Sequence, residues 1–147
     1  MYRHILIPTD GSELADKAVV HGLSLAKSVG AKITALVVEP TFNVYDVPSS
    51  KMFRMTEAFA EYAEHAKAHA AGILTGVADA AKSSHVPCET IQMIHDHPYE
   101  AIVATAKEKD CDLIVMASHG RSGIGAVVLG SVTTKVLTHT SVPTLVI

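Results

Sequence analysis

The stretch His4-Ile5-Leu6-Ile7-Pro8-Thr9-Asp10-Gly11-Ser12 decides how the rest of the chain is read. It opens as a continuous apolar run. Such a run, without polar alternation, is the pattern of a strand covered on both faces, as in a parallel sheet. Asp10-Gly11 is a turn, and Ser12 suits the N-cap of a following helix. In that helix Leu14, Ala18, Val19, Gly22, Leu23, Ala26 and Val29 recur at helical spacing. Gly30 is placed to end it in the left-handed conformation common just past a helix.

The same unit recurs along the chain. Lys32 to Glu39 reads as a second strand, stopped by Pro40. Residues 40–52 form a loop at the long end for a compact domain, a length often tied to function. A long helix is predicted from Phe53 to Ser84, with Phe59, Tyr62, Ala63, Ala66, Ala70, Ile73, Leu74, Val77 and Ala81 on one side. Gly72 and Gly76 each weaken it by about 1 kcal/mol relative to Ala. They are read as marks of close packing against the sheet, with a kink as the alternative. Pro87 to His95 is a third strand, and Gln92 and His95 make it polar enough to suit an edge. Pro98 fits the first position of a helix running to Lys109. A fourth strand covers Asp112 to Met116, a small-residue loop follows, a last helix runs from Gly130 to His139, and Val142 to Ile147 closes as a fifth strand.

Strands alternating with helices predict an α/β fold: one doubly wound domain over residues 1–147, with helices on both faces of a five-stranded parallel sheet. The pattern alone fits the strand order 2-1-3-4-5 and the order 3-2-1-4-5. In the second, the switch point lies between strands one and four, and ligands bind outside the carboxyl ends of strands there. Those ends carry Asp10-Gly11-Ser12 and the glycine loop after Met116.

Composition excludes several classes. The chain is 48% hydrophobic but only 5% aromatic and has no Trp, so its apolar mass is aliphatic. That excludes disorder and argues against a module that stacks bases on aromatic rings. Twelve basic against fifteen acidic residues give a net charge of −3, the opposite of a nucleic-acid binder. No apolar run approaches the ~20 residues of a membrane span. Met1 to Gly11 lacks the long apolar stretch and cleavage site of a signal peptide. Cys88 and Cys111 form no CxxC pattern and read as reduced, inert thiols. The expectation is a cytoplasmic protein without nucleic-acid or membrane partners.

The segment from Ala117 to Ser131 carries the strongest chemical signal. Gly120, Gly123, Gly125 and Gly130 lie between a buried strand and a helix, and glycines let backbone N–H groups approach an anion. The helix start at Gly130-Ser131-Val132-Thr133 adds unpaired N–H groups and a positive dipole end. Ser122, Ser131 and Thr133 add hydroxyls. The segment matches neither GxxxxGK[ST] nor GxGxxG, and taken alone it also reads as a flexible connector. Among nine histidines, His65 and His69 have the i,i+4 spacing of metal ligands but lack the HExxH glutamate, so they read as solvated. His95-Asp96-His97 reads as a helix cap rather than a zinc site. His119 either orients phosphate or closes the loop.

On these residues the chain resembles the universal stress protein family over its whole length. Ile5 to Ser12 matches that family's first strand and turn. Met116 to Gly123 and Val128 to Val132 match its signature loop. The nucleotide-binding branch carries G-x2-G-x9-G-[ST]; here it reads Ala117-x2-Gly120-x9-Gly130-Ser131, with alanine in the first place. The resemblance implies the strand order 3-2-1-4-5 and bound ATP, with magnesium. It puts Pro8, Thr9 and Asp10 beside adenine and ribose, Val37 or Val38 in the adenine slot, and Met116 and Ala117 against adenosine. Gly120, Arg121, Ser122 and Gly123 would wrap the phosphates, with Gly130, Ser131, Val132 and Thr133 completing the cradle. Asp10 can accept from ribose hydroxyls or the adenine amino group, or help hold Mg²⁺; its structural alternative is an Asx-turn into Ser12. At residue 117, a left-handed φ would cost alanine about 1–2 kcal/mol, roughly five- to thirtyfold in binding. A negative φ would leave one extra methyl group.

The implied function is a regulatory, ATP-binding stress-response protein. It would act on an unidentified protein partner and as a homodimer paired through the last strand, an apolar edge in this order. No general base or Walker lysine points to dedicated ATP turnover, so an enzyme is not expected, and hydrolysis at most slow. Two rivals stand beside it. One is a nucleotide-free dimeric interaction module of the same fold, which Ala117 keeps open. The other is a phosphorylatable receiver domain, disfavoured because Asp10 stands without an acidic pair.

Overall fold

A computed structural model describes residues 1–41, 48–120 and 128–147, with the side chains of 51–53 set aside. The strands are β1 (His4–Pro8), β2 (Lys32–Glu39), β3 (Cys88–Ile94), β4 (Leu113–Met116) and β5 (Thr144–Val146). They form one sheet in the order β3-β2-β1-β4-β5, parallel throughout. Of the two orders open to the pattern, this is the one the resemblance implied. β1 and β4 are buried along their whole length, as their apolar runs required. The more polar β3 is an edge.

The helices are α1 (Glu13–Val29), α2 (Met55–Ser84), α3 (Pro98–Glu108) and α4 (Ser131–His139). Ser12 caps α1 by accepting from the Ala15 N–H at 3.3 Å, and Gly30 ends it at φ 71°. Pro98 starts α3. Before α2, where a loop was expected to 52, a 3-10 helix covers Ser49–Arg54.

Strand pleating divides the core into two layers. Ile5, Ile7, Ile33, Val37, Leu113 and Val115 pack beneath α1 and α2, against Val19, Leu23, Ala70, Leu74 and Val77. Their neighbours Leu6, Leu36, Ile114 and Met116 face the other way, against Ile102 and Ala106 of α3 and Val136 of α4.

Two expectations for α2 are corrected. Its buried stripe is Ala66, Ala70, Leu74, Val77 and Ala81, while Phe59 is 56% exposed. Gly72 and Gly76 do not mark contact with the sheet, since a Cβ at either would meet nothing within 4 Å. The glycine that does is Gly22 of α1, where a Cβ would lie 2.5 Å from Ile7 Cδ1.

Candidate functional site

β1 and β4 are neighbours at the centre of the sheet, but the chain leaves them in different directions. β1 turns into α1, and β4 runs into the loop that leads to α4. A crevice opens where such connections diverge. It is a cavity of about 720 Å³, within the usual range of ligand pockets.

Eleven of the fifteen residues picked out in the sequence line it. Pro8, Thr9 and Asp10 come from the end of β1, and Val38 from β2. Met116, Ala117 and Gly120 follow β4, and Gly130, Ser131, Val132 and Thr133 form the start of α4. Val37 does not line it. That side chain is 1% exposed in the α1/α2 layer, because alternate residues of a strand face opposite sides. Arg121, Ser122 and Gly123 lie outside the described residues, as does Gly125.

The β1 turn is held from within. The Asp10 Oδ1 accepts from Ser12 N–H at 3.0 Å, an Asx-turn, and Thr9 Oγ1 accepts from Gly11 N–H at 3.2 Å. Gly11 has φ 73°, where a side chain is strained, and a Cβ there would press on Ile73 of α2 at 2.8 Å.

The loop after β4 is pinned at both ends. Ser118 N–H donates to the Ile147 carbonyl at 2.8 Å, and Gly130 N–H donates to the Ser118 carbonyl at 2.8 Å. The buried Thr133 hydroxyl donates to the Ala117 carbonyl at 2.9 Å, so its hydrogen serves the loop. His119 also lines the cavity, and its Nδ1 lies 3.3 Å from the Oγ of its chain neighbour Ser118. Gly130 precedes α4, and among the described residues no side chain caps the helix. The first-turn N–H groups of Ser131, Val132 and Thr133 have no intrahelical partners and adjoin the cavity. The site thus joins an N–H-rich, electropositive helix start to a carboxylate, between aliphatic walls.

Ala117 carries no left-handed strain. Among the described residues, the only non-glycine positions with positive φ are His85 and Asp110. Ala117 is 8% exposed and packs with Ala15 and Ala18 of α1.

Several lining residues had no distinctive sequence signal. Leu36, Pro98 and Ile102 supply apolar wall, and Glu39 and Pro40 lie at the exit of β2. Glu39 is 6% exposed, and its Oε1 lies 2.8 Å from His69 Nδ1. His69 is therefore not merely solvated: α2 is tied through it to the carboxyl end of β2. Tyr62 of α2 adds a bond from its hydroxyl to the Pro40 carbonyl at 3.3 Å. The expected cap at α3 is also corrected. His97 holds the N-cap position without a side-chain cap bond among the described residues; Asp96 accepts from Thr41, and His95 Nδ1 accepts from His97 N–H at 2.9 Å.

Among the described residues, no group of three His, Cys, Asp or Glu side chains is placed to hold a metal. Both cysteines are free thiols. Burial pushes Cys111 up to about 11 and raises Cys88 above its ordinary value, which keeps both protonated near neutrality. No helix among the described residues is long and apolar enough to cross a membrane.

Fold and crevice together define a doubly wound α/β domain with a cavity at its switch point. The chain belongs to the universal stress protein family, whose profile matches residues 1–147. It is 30% identical over its full length to universal stress protein MJ0531 of Methanocaldococcus jannaschii, covering 82% of that protein. It is 31% identical to universal stress protein YxiE of Bacillus subtilis, covering 100% of this chain and 99% of the relative. Among solved structures, hypothetical protein MJ0577 of M. jannaschii superposes with a TM-score of 0.83 at 26% identity, covering 100% of this chain and 96% of the other. A universal stress protein in complex with cAMP shares the fold at a TM-score of 0.69 and 23% identity, covering 99% of this chain and 96% of the other.

Proposed function

We propose that the cavity binds an adenine nucleotide, ATP with magnesium, and that the protein is a regulatory member of its family rather than a dedicated ATPase. The observation that carries this reading is the convergence of the β1 turn and the α4 start on one cavity. Phosphate suits the N–H groups of Ser131, Val132 and Thr133 at a positive helix end. The base suits the aliphatic wall of Val38, Leu36, Met116 and Ile102. Asp10 offers carboxylate oxygen to ribose hydroxyls or to the cation. With no cluster of three ligands among the described residues, magnesium would be held chiefly by the phosphates, with Asp10 as its carboxylate partner. When bound, the cation neutralises phosphate charge beside that carboxylate.

Adenine-type ligands are also found in the family: one member was solved with cAMP and another, from Archaeoglobus fulgidus, with dAMP. The rival, a nucleotide-free module, drew its support from Ala117, whose methyl is accommodated against α1. We further propose a homodimer through β5. This strand is an edge of the sheet, and Leu145 on it and Leu137 on α4 are 40% and 39% exposed. Nucleotide occupancy would then change the surface presented to a protein partner in the cytoplasm.

The test is to purify the protein without added nucleotide, denature it and chromatograph the supernatant. Adenine nucleotide in amounts approaching the protein supports the reading. Its absence, joined to no response on adding ATP and magnesium, sinks it.

A further inference from the structure

The sequence offers Gly120 as a glycine whose backbone approaches phosphate. The structure gives it a different neighbour. A Cβ on Gly120 would lie 2.7 Å from Asp10 Oδ2, closer than side-chain carbons come to oxygen, and 3.7 Å from Asp10 Cγ. Its φ is not left-handed, so conformational freedom is not what requires glycine here. Nor is Asp10 at liberty to step aside without cost, because its Oδ1 holds the Ser12 N–H at 3.0 Å. The carboxylate is set by the β1 turn on one side and meets the backbone of the β4 loop on the other.

We propose that Gly120 is a positioning residue for Asp10. It is glycine so that the loop after β4 can close onto the Asp10 carboxylate while that group keeps its Asx-turn, and so keeps the orientation in which it faces the cavity. Gly130 works differently. A Cβ there would meet backbone, His119 Cα at 3.0 Å, and that neighbour cannot rotate away. The two motif glycines thus divide the labour: Gly130 lets the loop fold on itself, and Gly120 lets it close on β1. For ligand binding, the proposal rests on the nucleotide reading above, with Asp10 as a ligand-facing acceptor.

The coupling is tested by a double-variant cycle of Gly120→Ala and Asp10→Ser, where the shorter serine removes the atom a methyl would strike. Affinity for ATP with magnesium is measured by calorimetry, and thermal unfolding is measured without nucleotide. Gly120→Ala should weaken binding about tenfold in the parent and lower the unfolding temperature. In the Asp10→Ser background both effects should vanish, since contacting residues couple and independent ones add. Equal losses in the two backgrounds would overturn the proposal. If the parent binds no nucleotide, the nucleotide reading fails on its own and the unfolding cycle decides this one. If Gly120→Ala does not fold, the double variant must; its failure to recover would also overturn the assignment.

Discussion

The two ends of the sheet set their polar residues in different surroundings. At the amino end they satisfy one another. The His4 ring nitrogen Nε2 lies 2.7 Å from Thr34 Oγ1, both side chains being buried. Asp112 accepts from the Arg3 and His4 N–H groups at 2.9 and 3.0 Å, and Lys109 pairs with Glu89. At the carboxyl end, Asp10 and the first turn of α4 adjoin an open cavity, and glycine at 120 and 130 avoids clashes with Asp10 and with the His119 backbone. One end closes its hydrogen bonds to hold strands in register. The other places the Asp10 carboxylate, held by Ser12 N–H, and the start of α4 beside a cavity.

Breaking each end in turn should separate stability from binding. The largest effect is expected from Gly130→Val. Its Cβ would press on the His119 backbone, and overpacking of this kind costs about 1–3 kcal/mol. Nucleotide affinity in calorimetry should fall roughly ten- to hundredfold; unchanged affinity would remove Gly130 from the site. Asp112→Ala is the counterpart at the amino end. It deletes the acceptor for two backbone donors and should cost about 2 kcal/mol in urea unfolding, with nucleotide affinity preserved. A loss of affinity as large as the loss of stability would mean that the two ends are not separable.

A smaller effect concerns pH. Burial, with nearby Lys32, holds His4 below its ordinary value of 6.5. The unfolded chain therefore binds a proton at a pH where the folded chain does not. Stability should be fullest above 6.5 and should decline as pH falls through it toward the lower folded value. His4→Gln should flatten that decline in thermal unfolding, and an identical slope would assign the pH dependence elsewhere. Asp112 adds a separate loss in stronger acid. Burial opposes its ionisation, but the backbone donors of His4 and Arg3 outweigh this and hold it below its ordinary 3.8. The smallest change should come from Gly72→Ala, away from both ends. A methyl there meets open space, and removing helix-interior glycine should add about 0.5–1 kcal/mol. Destabilisation would show that the position is packed after all.

Much of this contrast was legible in the sequence. The apolar runs of β1 and β4 gave a buried parallel sheet, and Ser12, Gly30 and Pro98 marked helix boundaries by local chemistry alone. Facing was harder to read. In a sheet covered on both sides the polar alternation that reveals strand parity is missing, so Val37 and Val38 looked equivalent. The helix glycines did carry a signal. Gly22 falls within the stripe Ala18, Val19, Leu23 and Ala26, whereas Gly72 and Gly76 fall outside Ala70, Leu74 and Val77. Glu39 with His69, and Gly120 with Asp10, join residues far apart in the chain and leave no local pattern. The backbone angle at Ala117 cannot be read from residue type, and it decides what alanine costs there.

The central claim is that the carboxyl end of the sheet is built for an adenine nucleotide. The most direct measurement is calorimetric titration of nucleotide-free protein with ATP and magnesium, beside Gly130→Val under the same conditions. The account predicts saturable binding at one site per chain, weakened in the variant. No heat of binding from a folded parent protein whose purified stock is free of nucleotide would contradict it.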